Sequence, residues 1–168
     1  ARLFILFAAP PERDLDWSDQ GVEGSHRFLN RVWRLVEDRL SELQGAPAEG
    51  PSMEALGDRA SRDLKRVIHR TIDRVTRDIE EERQFNTAVA RLMELLNALG
   101  SFRPGSDEEH ALFLEGVEVL LSCLNPFCPH LTEELWEMTA HGEPLAKLPW
   151  PSAEEEALEA DTVTVVVQ

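Results

Sequence analysis

Tyrosine is missing from this chain altogether and lysine nearly so, with only Lys65 and Lys147 standing beside fifteen arginines. A lysine deficit of this kind is what a GC-rich genome or a salt-adapted host produces, and no function follows from it. Cysteine is scarce too: Cys123 and Cys128 are too few for a disulfide scaffold and fit a reducing cytosol. No apolar run approaches the roughly 18 residues that a membrane span needs, and no signal peptide is evident. A cytoplasmic protein without a membrane partner is therefore expected. Glycine loops that cradle phosphate are absent, as are the G-x-S-x-G and H-E-x-x-H patterns of hydrolases and metalloproteases. No catalytic residue and no cofactor-binding residue are expected in the chain. Cys123, Cys128 and His130 form C-x4-C-x-H, which falls short of the four ligands and tighter spacing of a structural zinc site. Buried free thiols beside a helix break are the expectation there, and no metal.

At 168 residues the chain suits one domain with a real core. It starts without a methionine and ends on an apolar run at 163–168, so a piece of a longer protein is expected. Its formal charge of -15 argues against nucleic acid when taken whole, yet the charge is unevenly placed. Residues 1–106 hold 16 basic and 18 acidic side chains, whereas 107–168 hold one lysine and 14 acids. Between 59 and 77 the balance reverses: six arginines and Lys65 face only Asp63 and Asp73, a local surplus of +5. Charges are screened over about 8 Å at physiological salt, so a basic stripe acts locally despite an acidic region elsewhere.

That reversal falls inside a long helix pattern, DRASRDLKRVIHRTIDRVTRDI at 58–79. At about 100° per residue, Arg59, Arg62, Arg66, Arg70, Arg74 and Arg77 share one stripe, and Leu64, Val67, Ile68, Thr71, Val75 and Ile79 form the opposing apolar face. For a lone amphipathic helix the simplest reading of such a stripe is a solvated face with intrahelical pairs. The functional reading is a surface that meets a polyanion. His69 lies between the two faces and is expected to hydrogen-bond a neighbouring helix rather than to touch RNA. A second, shorter basic stripe, Arg27, Arg31 and Arg34, rides on a pattern that Ser18 or Asp19 caps and that runs to about Leu43.

Further along, 44–52 is a Gly- and Pro-rich loop, and 85–99 buries Val89, Leu92, Met93, Leu96 and Leu99 before a stop at Gly100. Residues 110–124 are apolar on nearly all sides and so pack among several helices. Pro126 ends that helix, Pro129 opens another along Leu131, Leu135 and Met138, and His141-Gly142 closes it. Trp33, Trp136 and Trp150 read as packing residues. An apolar run at 3–9 stops at Pro10, with a turn or extended arm to follow. The predicted fold is all-α, an antiparallel bundle of about five helices. A short irregular tail follows, with Glu154–156 solvated and TVTVVVQ at 162–168 β-prone.

Several stretches together resemble the bacterial type of leucyl-tRNA synthetase in the region after its catalytic core. ARLFILFAAPPERDLDWSDQGVEG at 1–24, with FLNRVWRL at 28–35, is similar to the segment that leaves the core and enters the helical anticodon-binding domain. HRTIDRVTRDI at 69–79 resembles the family's His-Lys/Arg-Thr helix, and FNTAVARLMELLN at 85–97 its next helix. LNPFCPHLTEELWE at 124–137 is similar to a helix break shared by the Leu, Ile, Val and Met enzymes, and PWP at 149–151 with TVTVVVQ to the approach to a small C-terminal domain. The resemblance divides the chain into an exit segment at 1–19, a helical bundle at 20–142, and a linker with the first strand of a further domain at 143–168.

The resemblance implies a parent that charges tRNA(Leu) with leucine using ATP and Mg, with this bundle positioning the tRNA and the catalytic and C-terminal domains of the same chain as neighbours in a monomer. The His-Ile-Gly-His and Lys-Met-Ser-Lys-Ser type signatures of adenylate chemistry do not occur here, and neither does the editing domain. The nine stripe arginines are the expected tRNA contacts, since guanidinium groups clamp phosphate oxygens without reading bases. The same domain of an isoleucine, valine or methionine enzyme, or a helical protein-interaction module, remains open at this point.

Overall fold

The computed structural model describes residues 1–8 and 16–159. Among these the chain forms α1 (Arg2–Ala8), α2 (Asp19–Glu37), α3 (Leu40–Gly45), α4 (Arg59–Glu80), α5 (Phe85–Ser101), α6 (Asp107–Leu124), α7 (Pro129–Met138), a 3-10 turn at Leu145–Lys147 and α8 (Glu155–Leu158), with no strand. The five main helices expected from periodicity are α2, α4, α5, α6 and α7, and the all-α bundle stands. The arm after Pro10 and the β-prone run at 162–168 lie outside the described residues.

The centre is a triangle of α4, α5 and α6, each packed on the other two. α6 takes the inner position because its polar stripe is narrow, confined after the first turn to Glu115, Glu118 and Ser122: Leu112, Phe113, Val117, Leu120, Leu121, Cys123 and Leu124 are all buried. α5 turns Val89, Leu92, Leu95, Leu96 and Leu99 into the same core. Each such side chain stabilises the fold by about 1.5–3 kcal/mol relative to exposure. Around this triangle, α1 packs on α5 and α2, α2 on α5 and α7, α3 on α6, and α8 on α4. Gly116 makes the closest approach possible, since a Cβ there would lie 2.6 Å from Leu99 Cδ2 and 3.1 Å from Ile68 Cδ1.

Three boundaries differ from those read in the sequence. The helix expected to run to Leu43 breaks after Glu37, and α3 starts afresh at Leu40. Arg39 turns inward at the break, where its guanidinium sits 3.6 Å from the centre of the Phe113 ring and bonds Glu42 and the Phe102 carbonyl. The apolar stripe continues through Leu40 and Leu43, so periodicity alone passes over this interruption. α5 runs through Gly100 to Ser101, and the Phe102 N–H closes it on the Ala98 and Leu99 carbonyls. After α7 the left-handed residue is Ala140, at φ 67°, rather than Gly142.

The tail is fastened to the bundle. Glu133 accepts the Leu145 and Ala146 N–H groups at 2.9 and 3.0 Å, capping the 3-10 turn, and the Trp136 indole donates to the Glu143 carbonyl at 2.9 Å. Trp150 reaches Thr76 Oγ1 on α4 at 2.8 Å while remaining 39% exposed.

The packing at Gly116 yields a direct test. Gly116→Val should lower unfolding stability in urea by about 1–3 kcal/mol through overpacking. Gly116→Ala should cost less, because the roughly 1 kcal/mol gain in helix propensity offsets part of the clash.

Candidate nucleic-acid interface

The candidate surface is built on α4, whose phase is set at its N-cap. Asp58 caps the helix by accepting the Ser61 N–H at 3.0 Å together with the Ser61 hydroxyl, and these bonds hold its carboxyl down at about 2. From that start, Leu64, Ile68, Thr71, Ile72 and Val75 turn inward and the arginines turn outward.

The stripe is not uniform. Arg59 and Arg66 both pair with Asp63, at 3.5 and 3.1 Å, and Arg77 pairs with Asp73. Arg66 is only 12% exposed at its side chain, which places it at the edge of the packed surface. Arg62 bonds the Gly57 and Asp58 carbonyls at the helix start. Arg70 and Arg74 are exposed and have no hydrogen bond or ion pair among the described residues. Of the three aspartates on α4, Asp63 and Asp73 satisfy the two ends and the edge of the stripe and Asp78 is buried, so the middle has no hydrogen-bonded acid.

Between α4 and α5 that open middle lines a groove of about 300 Å³, formed by Val67, Arg70, Thr71, Arg74, Arg91 and Glu94. Arg91 is a contributor that sequence reading missed. Its signal was present: it sits three residues before Glu94 on the polar side of α5, opposite Leu92 and Leu96. Across the exposed face of α5, Asn97 accepts a 2.6 Å bond from Arg31 of α2. That face of α5 therefore lies between the two basic stripes, with Arg27 paired to Glu23 at 3.3 Å and Arg34 exposed near the α2 C-terminus.

Lys65 does not belong to this surface, although it counts toward the local charge surplus. It is 1% exposed, and its ammonium lies 3.4 Å from Glu115 on α6 and 3.1 Å from Glu154 just before α8. Glu154, expected among solvated acids, keeps 51% of its side chain exposed yet closes this cluster. His69, buried beside it, accepts the Glu154 N–H on Nδ1 at 3.2 Å, and its Nε2 makes a close polar contact with Glu115 Oε1 at 2.9 Å. Expected at a boundary and bonded to a neighbouring helix, His69 is instead fully inside, at 2% exposure, and its hydrogen-bonded neighbour is the residue that precedes α8. Gly50 lets the preceding loop come close as well, since a Cβ there would sit 2.5 Å from Glu115 Oε2.

His69, Glu115 and Glu154 are the one group of three potential metal ligands among the described residues, and the Lys65 ammonium already supplies the positive charge between them. Burial pushes the Cys123 thiol up to about 12 and that of Cys128 in the same direction, which keeps both as thiols rather than metal-ligating thiolates at neutral pH. His130 is exposed on α7.

Residues 61–168, more than half of the chain, match the family described as the anticodon-binding domain of tRNA ligase. This chain belongs to that family. Within the anticodon-binding domains, it is 50% identical across its whole length to a leucine–tRNA ligase of Geobacter sp. (strain M21) and 49% identical to one of Citrifermentans bemidjiense. In both cases it spans 20% of the relative's length. Among solved structures it superposes with a TM-score of 0.84 and 28% identity on the LeuRS chain of an Agrobacterium radiobacter K84 LeuRS-tRNA-LeuAMS complex, covering 95% of this chain and 20% of that one. No helix among the described residues is long and apolar enough to cross a membrane.

The buried cluster behind the interface makes its own prediction. Lys65→Met leaves the Glu115 carboxylate without its cation and should destabilise the fold by about 2–4 kcal/mol, below the full cost of breaking a buried pair because Glu154 can turn to water. Lys65→Met with Glu115→Gln should recover part of that loss in urea titrations, since the second change removes the stranded charge.

Proposed function

We propose that this chain is the tRNA-gripping part of a leucine–tRNA ligase, holding tRNA(Leu) by its backbone while leucine is activated with ATP and transferred elsewhere in the parent protein. The carrying observation is the pair of unpartnered arginines, Arg70 and Arg74, at the centre of an exposed basic face on a helix that is buried on its other side. Guanidinium groups with free donors bind phosphate oxygens in a fork, position the duplex, and leave base identity unread. Arg62 extends the same face toward the helix start, and Arg31 and Arg34 extend it across α5. Arg59, Arg66 and Arg77 contribute less, because each already spends donors on an aspartate.

The names of the relatives support leucine over isoleucine, valine or methionine as the amino acid of the parent. Adenylate formation, with its ATP and Mg, is assigned to regions outside this chain, since none of the sequence signatures of that chemistry occurs in it. The parent is proposed to act as a monomer in the cytoplasm, with its catalytic and C-terminal domains flanking this bundle and the stretch 143–168 serving as the link to the latter.

The magnitudes favour positioning over tight binding. About three phosphate contacts give a slope of roughly -2 to -3 in log affinity against log salt, too little to hold a tRNA unaided. In the full-length ligase, Arg70→Glu with Arg74→Glu should reduce the kcat/KM for tRNA charging by about 10-fold and flatten its salt dependence by about two units. Leucine-dependent ATP–pyrophosphate exchange, which needs no tRNA contact here, should be unchanged. Charging kinetics equal to the wild type at low and moderate salt would refute this assignment.

A further inference from the structure

The groove between α4 and α5 contains three arginines and a single acid. Arg70 and Arg74 project from α4 without partners among the described residues, and Arg91 enters from α5. Arg91 is 31% exposed, and its Nε is buried without an acceptor among the described residues. Its Nη1 lies 3.3 Å from Glu94 Oε1 and 3.4 Å from Oε2, and Glu94 is 64% exposed. An exposed i, i+3 pair of this sort is weak and readily exchanged. A phosphate entering the groove meets two guanidiniums without hydrogen-bond partners among the described residues and a third whose Nη1 is held by a carboxylate with easy access to water.

We propose that this groove is a backbone-phosphate subsite that Arg91 completes with Arg70 and Arg74, and that Glu94 guards it by occupying Arg91 until a phosphate displaces the carboxylate. This rests on the reading of the chain as a tRNA-gripping domain. Glu94 then has two effects. In the free protein it neutralises part of a concentrated positive patch, which suppresses adventitious anion binding. In the complex it weakens the grip, since its displacement from Arg91 opposes tRNA binding. The residue acts through Arg91, so it is a positioning residue whose effect disappears when Arg91 is changed.

The test uses the full-length ligase and an unmodified tRNA(Leu) transcript, with dissociation constants from filter binding across a salt series. Glu94→Gln should tighten binding by about 2- to 5-fold at moderate salt and steepen the log–log salt slope by up to about one unit. Arg91→Gln should weaken binding and flatten the slope by about the same amount. In the Arg91→Gln background, Glu94→Gln should give no gain. The thermal midpoint of Glu94→Gln should match the wild type, because that side chain lies largely in solvent. Affinity of Glu94→Gln equal to the wild type, or an equal gain with and without Arg91, overturns the guard role. If Arg70→Glu with Arg74→Glu weakens charging while Glu94→Gln changes nothing, the inference fails and the functional assignment survives. If neither variant has an effect, both fail.

Discussion

The Lys65 ammonium, enclosed by carboxylates from α6 and from the residue preceding α8, is the interaction on which the arrangement around α4 depends. A buried charge is tolerated only when its lost hydration is replaced, and two carboxylates at 3.1–3.4 Å replace it here. Those carboxylates come from different parts of the chain, so satisfying one ammonium fixes α4 against α6 and draws the tail back over both. His69 extends the same arrangement by accepting the Glu154 N–H, and Gly50 admits the preceding loop to within contact of Glu115. Apolar packing would hold the α4, α5 and α6 triangle by itself. It would not specify where the stretch around α8 lies, because Ala157 and Leu158 offer too little apolar surface to choose a position.

This polar anchor also determines which face of α4 remains exposed. A helix whose buried side is tied at Lys65, His69 and Thr76 cannot rotate, so its arginines keep a constant relation to α5. The groove lined by Arg70, Arg74 and Arg91 exists only with α4 in that orientation. Stability and interface are thus two sides of one helix, coupled through its phase rather than through a chain of contacts. The separation of charge follows the same division. Several acids of the C-terminal part are engaged internally, Glu133 with backbone N–H groups, Glu115 with Lys65, and Glu118 with His141 at 2.7 Å. The large negative formal charge consequently overstates what an approaching polyanion meets on the α4–α5 face.

Much of this was legible in the order of residue types, and the limits have physical causes. The five main helices could be read because each carries a long apolar period, and the two opposed faces of α4 because six arginines repeat on its turn. The break at Arg39 could not be read, since Leu40 and Leu43 continue the period and the event that interrupts the helix is a long-range contact with Phe113. Lys65 looked like one more surface base because its angular position lies beside the stripe. Only the arrival of Glu154, 89 positions later in the chain, makes that edge an interior. Arg91 was passed over for a related reason: a single arginine on a largely apolar helix means little until α4 brings two more to the same groove. The stripe arginines were equivalent in sequence, and their sorting into engaged and free depended on which of them Asp63 and Asp73 could reach.

That sorting carries the functional weight. An acid within i±3 or i±4 of an exposed arginine forms a pair that contributes a few tenths of a kcal/mol to a helix. Asp63 is in range of Arg59 and Arg66, and Asp73 of Arg77, so local pairing accounts for those three. Arg70 and Arg74 are flanked at the same spacings by Arg66, Arg74 and Arg77 and by Asp73 and Asp78; Asp73 is taken by Arg77, and Asp78 is buried, where it attracts Arg91, Arg74 and Arg77 without hydrogen-bonding any of them. Like charges at i, i+4 destabilise an isolated helix by amounts similar to what opposite charges contribute. The middle of α4 therefore carries a repulsion that folding does not require, in a helix whose core face and buried cluster are sufficient to hold it. A small cost, offset only in part by the buried Asp78 and concentrated at one exposed patch, is the expected mark of a surface whose counter-charge comes from a partner. The proposed phosphate contacts would supply that counter-charge, which makes Arg70 and Arg74 the point where the requirements of the fold end and those of the proposed binding begin.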